Sequence, residues 1–325
     1  TPPEIERLFE SGTSLHVDDG TRTMAERKGH GLQRAIIFAL LRAWAAGLRA
    51  QAAEDEAVAP RRRSTSVIFA VEEPELFLHP HAQRRLAQSL REIAGTADHQ
   101  VFLCTHSSHF VDLARYQEVV IADKYDDDGT KVRQCTTELF AGPDLAERKK
   151  RFQMAQWINP DRAEMFFARR VVFVEGETEQ VLIRFLADKL GRLDPEVSVI
   201  DCGSKHNLPL YIAIAEAFQI PHVVVHDEDP LSDPVPDDWT DDKRKAKQRT
   251  FDINASIAAA VKPPLGRVCM LRPDLEKAAG VSKSQGDKKG KSLAALDHFE
   301  GINVSDLPQC MVEVVEHAYG GWTDE

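Results

Sequence analysis

The sequence predicts an α/β protein of two domains, the second built on a parallel sheet. Three observations predict it. A chain of 325 residues exceeds one ordinary hydrophobic core. Short apolar runs recur along it, and stretches of helical spacing separate them. A strand covered on both faces reads as a continuous apolar run rather than an alternating one. SVIFAV (66–71) and VVFV (171–174) read that way, and QVFLC (100–104), EVVIA (118–122), VSVI (197–200), PHVVV (221–225) and RVCML (267–271) read as further strands.

Taken in order, Gly31 to about Ala53 is rich in Ala, Leu and Arg and predicts a long helix, and His79 to Ala94 predicts another. From Lys124 to about Lys150 the composition turns polar, with DDDG and GPD turn signals. That stretch is a plausible junction, and the domain boundary is placed near residues 150–168, giving domains 1–150 and 151–325. Helical patterns at 147–157 and 161–168 precede VVFV, and Val181, Leu182, Phe185 and Leu186 then mark a helix with one apolar face. Leu208 to Phe218 predicts a helix, 227–242 an acid-rich insertion, and Val304 to His317 a closing helix.

Hydrophobic content of 42% and charged content of 29% are those of a soluble globular protein. No apolar run is long enough to span a membrane, and TPPEIERLFESG lacks the pattern of a signal peptide. Five cysteines lie far apart with no CxxC pair, as expected of reduced thiols in the cytoplasm. A net charge of −11 argues against a general nucleic-acid coat protein. It leaves room for a nuclease whose carboxylates bind cations and whose basic patches are local.

The chemistry concentrates at strand ends. In VVFVEGETEQVLI the acids Glu175, Glu177 and Glu179 stand at a strand-to-helix turn, where open α/β sheets place their sites. Glu175 and Glu179, four apart, share one side of the first helical turn, with Glu177 expected to point elsewhere. Acids in a first turn also complement the helix dipole, so this stretch alone decides nothing. In HVVVHDEDP, Asp227 and Asp229 fall on one side of an extended chain and Glu228 on the other. Two such carboxylates repel unless a cation lies between them, and hard oxygen ligands suit Mg²⁺ or Mn²⁺. CMLRPDLEKAAG supplies a third acidic strand end, Asp274 and Glu276. Asp233, Asp237, Asp238, Asp241 and Asp242 read as solvated surface.

A Glu at one strand end, DxD at another and the Gly-containing turn DCGSKHN together resemble the Toprim domain, over roughly residues 168–325. VEGETE, HDEDP and LRPDLE resemble the version found in nucleases of the OLD (overcoming lysogenisation defect) family. The resemblance implies two Mg²⁺ or Mn²⁺ ions held by Glu175, Glu179, Asp227, Asp229 and Glu276, with Asp274 and Asp201 in support. It also implies a catalytic lysine in SKSQGDKKGKSLAAL, which offers Lys288, Lys289 and Lys291; Lys291 stands best, just before a helix. GDKKGKS imitates a phosphate-binding P-loop, but it is one residue short and Gln285 occupies the place of the first glycine.

In the first half, SVIFAVEEPELFLHP resembles the Walker B strand and loop of ABC-type ATPases of the RecF/SMC/OLD group. By that resemblance Glu72 supports Mg²⁺, Glu73 polarises the attacking water, and His106 in FLCTHSSHF contacts the γ-phosphate. KGHGLQRA resembles the signature loop, which makes Gly29, Gly31 and Gln33 nucleotide-facing at a helix N-terminus. No Walker A sequence occurs, so the chain is expected to be the C-terminal portion of a longer ATPase and to turn over no ATP alone.

The implied activity is a Toprim DNA endonuclease coupled to that ATPase, acting in phage defence or DNA repair. ATP serves the full-length protein, a homodimer forms through the ATPase domain, and a helicase is a candidate partner. The reading left open beside it is a non-catalytic SMC/RecF-like DNA-binding ATPase or repair mediator with a degenerate Toprim domain. A topoisomerase is disfavoured because Tyr116, Tyr125, Tyr211 and Tyr319 stand in no recognisable motif. The basic stretches ERKKR (147–151) and KRKAKQR (243–249) suit either a DNA backbone or solvated helix faces.

Overall fold

A computed structural model describes residues 14–40, 43, 46–47, 67–95, 99–125, 129–139, 150, 160–232, 234–236, 238–281 and 290–321. They form two compact units that divide after Phe110.

The first unit opens with a hairpin of β1 (His16–Asp18) and β2 (Arg22–Met24), followed by helix α1 over residues 30–40. The expected continuation of α1 to residue 53 lies mostly outside the described residues. Strand β3 (Val67–Glu72) pairs in parallel with β4 (His99–Cys104), and α2 (Pro80–Ala94) crosses between them. Pro80 suits the first turn of α2, where its missing N–H costs nothing. Phe69 on β3 packs against Leu86, Ala87, Leu90 and Ile93 of α2 and against Phe110. The opposite face of this pair presents Ile68 and Phe102 to solvent, 63% and 62% exposed.

In the second unit a 3-10 segment, Leu113–Glu118, leads into an antiparallel hairpin, β5 (Val120–Tyr125) and β6 (Gly129–Gln134). The strand expected at EVVIA thus forms as one arm of a hairpin. The Asp-Gly pair read as a linker signal is equally a hairpin signal. Leu113, Tyr116 and Cys135 enter the core of the second unit, so the packing divides ahead of the change in composition at 124–150. The helical pattern at 161–168 forms a 3-10 helix, Pro160–Phe166, that buries Ala163, Met165 and Phe166. The pattern at 147–157 lies outside the described residues except for Lys150.

Strands β7 (Arg170–Val174), β8 (Val197–Asp201), β9 (His222–Asp227) and β10 (Gly266–Leu271) build one fully parallel sheet in the order β10-β9-β7-β8. Helices α3 (Glu177–Lys189) and α4 (Leu208–Ala217) follow β7 and β8. Alternation along the strands divides the core. Val171, Phe173 and Val224 face α4 and Ile257, whereas Val172, Val174, Val223 and Val225 face α3 and the C-terminal helices. Those are α7 (Lys291–Glu300) and α8 (Gln309–Tyr319). The closing helix begins at Gln309 rather than Val304, because Pro308 holds Leu307 in an extended conformation. Residues 227–242, expected only as an acidic insertion, lead into a 20-residue helix, α5 (Asp241–Ala260). A short helix α6 (Leu275–Ala279) follows β10.

The strand order positions the site. The chain leaves β7 for β8 on one side and later returns to β9 on the other, so a crevice opens beyond the carboxyl ends of β7 and β9.

Candidate metal centre

Glu175 follows β7, and Asp227 ends the neighbouring strand β9. The Asp227 N–H donates to Glu175 Oε1 at 2.8 Å, which locks the two strand ends together. One oxygen of Asp227, Oδ1, accepts from the Leu275 N–H at 2.8 Å, bringing the loop after β10 alongside. Glu179 turns back over the start of α3, where its Oε2 accepts from the Gly176 N–H at 3.1 Å. The helix-start role of an acid in this turn is therefore real for Glu179.

Glu175, Glu179, Asp227, Asp229, Asp274, Glu276 and Lys291 line a single cavity of about 530 Å³. Four separate segments thus deliver the predicted acids and the best-placed lysine to one place. Glu228 turns away toward Arg272, 3.7 Å distant, as the alternation predicts. Asp229 has φ 51°, a left-handed conformation unusual for a residue other than glycine. Glu177, expected to point elsewhere, is exposed yet also lines the cavity.

Asp201 does not join the acids. The buried Arg162 takes it instead, with Nε donating to the Asp201 carbonyl at 2.6 Å and Nη2 lying 3.4 Å from Oδ2. Lys291 is the first residue of α7, and its Nζ lies 3.0 Å from Glu276 Oε1. A 3.1 Å contact between Ser292 Oγ and Thr178 Oγ1 fastens the start of α7 to the start of α3. Lys288 and Lys289 lie outside the described residues.

One functional side chain escaped the sequence analysis. Lys205, 3% exposed, donates to the Asp227 carbonyl, lies 3.1 Å from Asp229 Oδ2 and reaches the Glu228 carbonyl at 3.4 Å. A buried ammonium thus holds the whole DxD turn from a loop after β8. The one visible signal was the turn DCGSKHN. Gly203 there has φ 76°, and a β-carbon on it would sit 3.0 Å from Arg162 Nη2.

The electrostatics follow from burial. Removal from water pushes Glu175, Glu179 and Asp227 up to about 7. The acids then raise one another: Asp229 and Glu179 act on Glu175, and Glu175 and Asp229 on Asp227. Lys205 and the Asp227 N–H oppose the shift at Glu175. The hydrogen bond from Lys291 to Glu276 raises the lysine.

Among the described residues no three His, Cys, Asp or Glu side chains converge closely enough to hold an ion as they stand. Each acid is turned to a protein donor: Glu175 and Glu179 to backbone N–H groups, Asp229 to Lys205 and Glu276 to Lys291. The donor chemistry nonetheless fits a divalent cation. Five hard carboxylates repel one another around a polar cavity, and a cation relieves that repulsion.

In the first unit, Glu72 ends β3. Glu73 has φ 45°, and its N–H donates to the Cys104 carbonyl at 2.9 Å. Glu75, not singled out from the sequence, accepts from Thr105 Oγ1 at 2.8 Å and from the His106 N–H at 2.6 Å. It thereby ties the loop after β3 to the loop after β4. Gly29 is open, whereas a β-carbon on Gly31 would sit 2.8 Å from the Phe77 carbonyl oxygen. Gln33 donates to the Glu26 and Lys28 carbonyls at 2.9 and 2.8 Å, fastening the loop before α1.

Comparisons with known proteins bear on both units. Residues 3–111 match the AAA ATPase domain family, and residues 166–229 match the overcoming lysogenization defect protein-like TOPRIM domain. The chain is 31% identical over 251 residues to an OLD nuclease of Thermus scotoductus, covering 76% of this chain and 46% of that protein. It is 27% identical over 237 residues to the Old nuclease of Escherichia phage P2, covering 71% and 38%. It is 24% identical over 211 residues to endonuclease GajA of Bacillus cereus, covering 58% and 29%. The chain spans less than half the length of each of these relatives.

Proposed function

We propose, for a chain in which an AAA-type ATPase domain is followed by an OLD-like TOPRIM domain, that it is a metal-dependent DNA endonuclease coupled to that ATPase. Its relatives carry nuclease names, which supports the general class. The observation that carries the specific reading is the gathering of Glu175, Glu179, Asp227, Asp229, Glu276 and Lys291 in one cavity. A non-catalytic mediator has no use for the whole set.

Those five carboxylates would hold two Mg²⁺ or Mn²⁺ ions, which supply activation of water and stabilisation of the leaving oxygen. The chain's own groups do the rest. Lys205 holds the DxD turn at the edge of β9. Lys291, with a side chain 72% exposed, is free to swing from Glu276 toward a phosphoryl oxygen. A cation there acts on charge that grows in the transition state. In the first unit, Gly29, Gly31, Gln33, Glu72, Glu73 and His106 belong to the ATP site of the complete protein on this reading. Gln33 acts there by shaping the loop.

The same reading carries with it a cytoplasmic location, a homodimer through the ATPase domain, a helicase partner, and phage defence or DNA repair as the setting. No helix among the described residues is long and apolar enough to cross a membrane. The test is cleavage of supercoiled plasmid in Mg²⁺, Mn²⁺, Ca²⁺ or EDTA. Nicking that requires Mg²⁺ or Mn²⁺ is expected, and undiminished cleavage in EDTA would overturn the proposal.

A further inference from the structure

We infer that one face of α5 is a DNA-backbone track leading into the carboxylate cavity, with Lys243 and Lys247 as its phosphate contacts. The inference rests on the DNA-cleaving reading and deepens it. Two independent observations carry it, one of burial and one of register.

The first concerns the exposed half of the helix. Residues 241–249 of α5 are all exposed, and Ile257 is the one fully buried residue of the helix. A helix that is polar all round has no packed face to explain it. Here the N-terminal half is held locally, with Thr240 accepting from the Lys243 N–H at 3.3 Å. That half carries five basic and two acidic side chains in a protein whose net charge is −11. It is a local basic patch on an acidic chain, and it stands free of the core.

The second observation ties one stripe of that patch to the site. Asn254, Thr250, Lys247 and Lys243 fall four, three and four residues apart, which places them on one helical face. Asn254 Nδ2 donates to the Glu228 carbonyl at 2.7 Å, inside the DxD turn. Thr250 lines the carboxylate cavity. Lys247 and Lys243 then lie roughly 4.5 and 10.5 Å farther along the axis, at about 1.5 Å per residue. Lys243 Nζ stands 5.1 Å from the centroid of the Trp239 ring, which steadies the ammonium at the outer end. Asp241, Asp242, Lys245 and Arg249 project from other sides of the helix.

The physical need is plain. A cavity lined by mutually repelling carboxylates also repels a phosphodiester, so a strand has to be drawn in by cations at the entrance. Lysine ammoniums serve as point-charge phosphate contacts without reading sequence.

The experiment compares two double variants of equal charge change, Lys243→Ala with Lys247→Ala on the stripe and Lys245→Ala with Arg249→Ala off it. Alanine preserves the helix. Binding of a labelled DNA duplex in Ca²⁺ is followed by anisotropy across a salt series, and plasmid cleavage is followed in Mg²⁺. The stripe variant should bind at least ~10-fold more weakly, with a salt slope lower by about 1.8, the value for two lost phosphate contacts. Its cleavage defect should appear in KM rather than in kcat, and the off-stripe variant should lose far less. Equal losses in both variants would reduce the effect to net charge and overturn the track. A stripe variant with unchanged KM beside a cleaving wild type would overturn the track alone. Wild type that neither binds nor cleaves DNA would remove the underlying reading. Stripe-dependent binding of an RNA duplex but not of DNA would overturn the choice of partner.

Discussion

Two acidic strand ends look alike in the sequence and differ in the folded molecule. Glu72 ends β3 and Glu73 follows it, in a two-stranded pair whose far face leaves Ile68 and Phe102 exposed. Glu175 follows β7, an interior strand buried at all five positions, with β9 on one side and β8 on the other. Around Glu72 and Glu73 the loop is held by Glu75 to Thr105 and His106 and by Arg34 to the Glu73 carbonyl, with no second acidic strand end beside it among the described residues. Around Glu175 the neighbouring strands and α3 bring Glu179, Asp227, Asp229 and Glu276 into the same cavity. A run of acids after an apolar strand thus gathers other acids into one buried cavity where the strand is interior to a sheet covered on both faces. Burial then raises the cost of each charge, and adjacent strand ends supply the others.

The sharpest way to break that comparison is to delete an acid from the covered sheet. Glu175→Ala or Asp227→Ala should abolish plasmid nicking while leaving the circular dichroism spectrum and melting cooperativity unchanged. Normal cleavage by the double variant would mean that the cavity is not the reaction centre.

A second, smaller loss is expected at Lys291. Single-turnover cleavage at saturating DNA should fall by about 10²–10³-fold in Lys291→Ala, the range for losing one preorganised electrostatic donor. DNA affinity should hardly change. Normal cleavage with much weaker binding would make Lys291 an ordinary backbone contact.

Lys205 sharpens the contrast between ties. Lys205→Met removes a buried cation from two backbone carbonyls and the Asp229 carboxylate. It should lower the unfolding free energy in urea by about 1–3 kcal/mol, the cost of leaving buried polar groups unmatched. Isothermal titration with Mn²⁺ should show weaker binding as well, because the DxD turn loses its anchor. Unchanged Mn²⁺ affinity would leave Lys205 with a purely structural role.

The gentlest effect is on pH dependence. Folding raises Glu175 and Glu179 from 4.5, and Asp227 from 3.8, up to about 7. Between those values the folded protein holds protons that the unfolded chain has released. Their contribution to stability is therefore complete below the unfolded values and lost as pH rises through about 7. In EDTA the melting temperature should fall from pH 5 to pH 8, and Glu175→Gln should flatten the fall. A rising curve over that interval would contradict the buried acid cluster.

Much of this was legible in the sequence, because local periodicity carries it. The runs VVFV, VSVI, PHVVV and RVCML each became a strand of the parallel sheet, and the acids at their ends were visible as interruptions of apolar patterns. Asp227 and Asp229 share the cavity and Glu228 turns to Arg272, although Asp229 leaves the extended conformation. Lys291 begins a helix, as its position before an apolar pattern implied. Other features depend on partners far away in the chain. EVVIA formed the strand its apolar pattern predicts, but its pairing with β6 in a hairpin was decided by the fold. Asp201 looked available until Arg162, 39 residues earlier, claimed it. Lys205 reached across 24 residues to Asp229, and Asn254 across 26 to Glu228, by contacts that no periodicity encodes. The sequence by itself determined which residues form strands and which acids stand at their ends, since steric preference and hydrophobic pattern act within a few residues. Only the tertiary structure decided which strand ends are neighbours, because the order β10-β9-β7-β8 is set by burying both faces of the sheet at once.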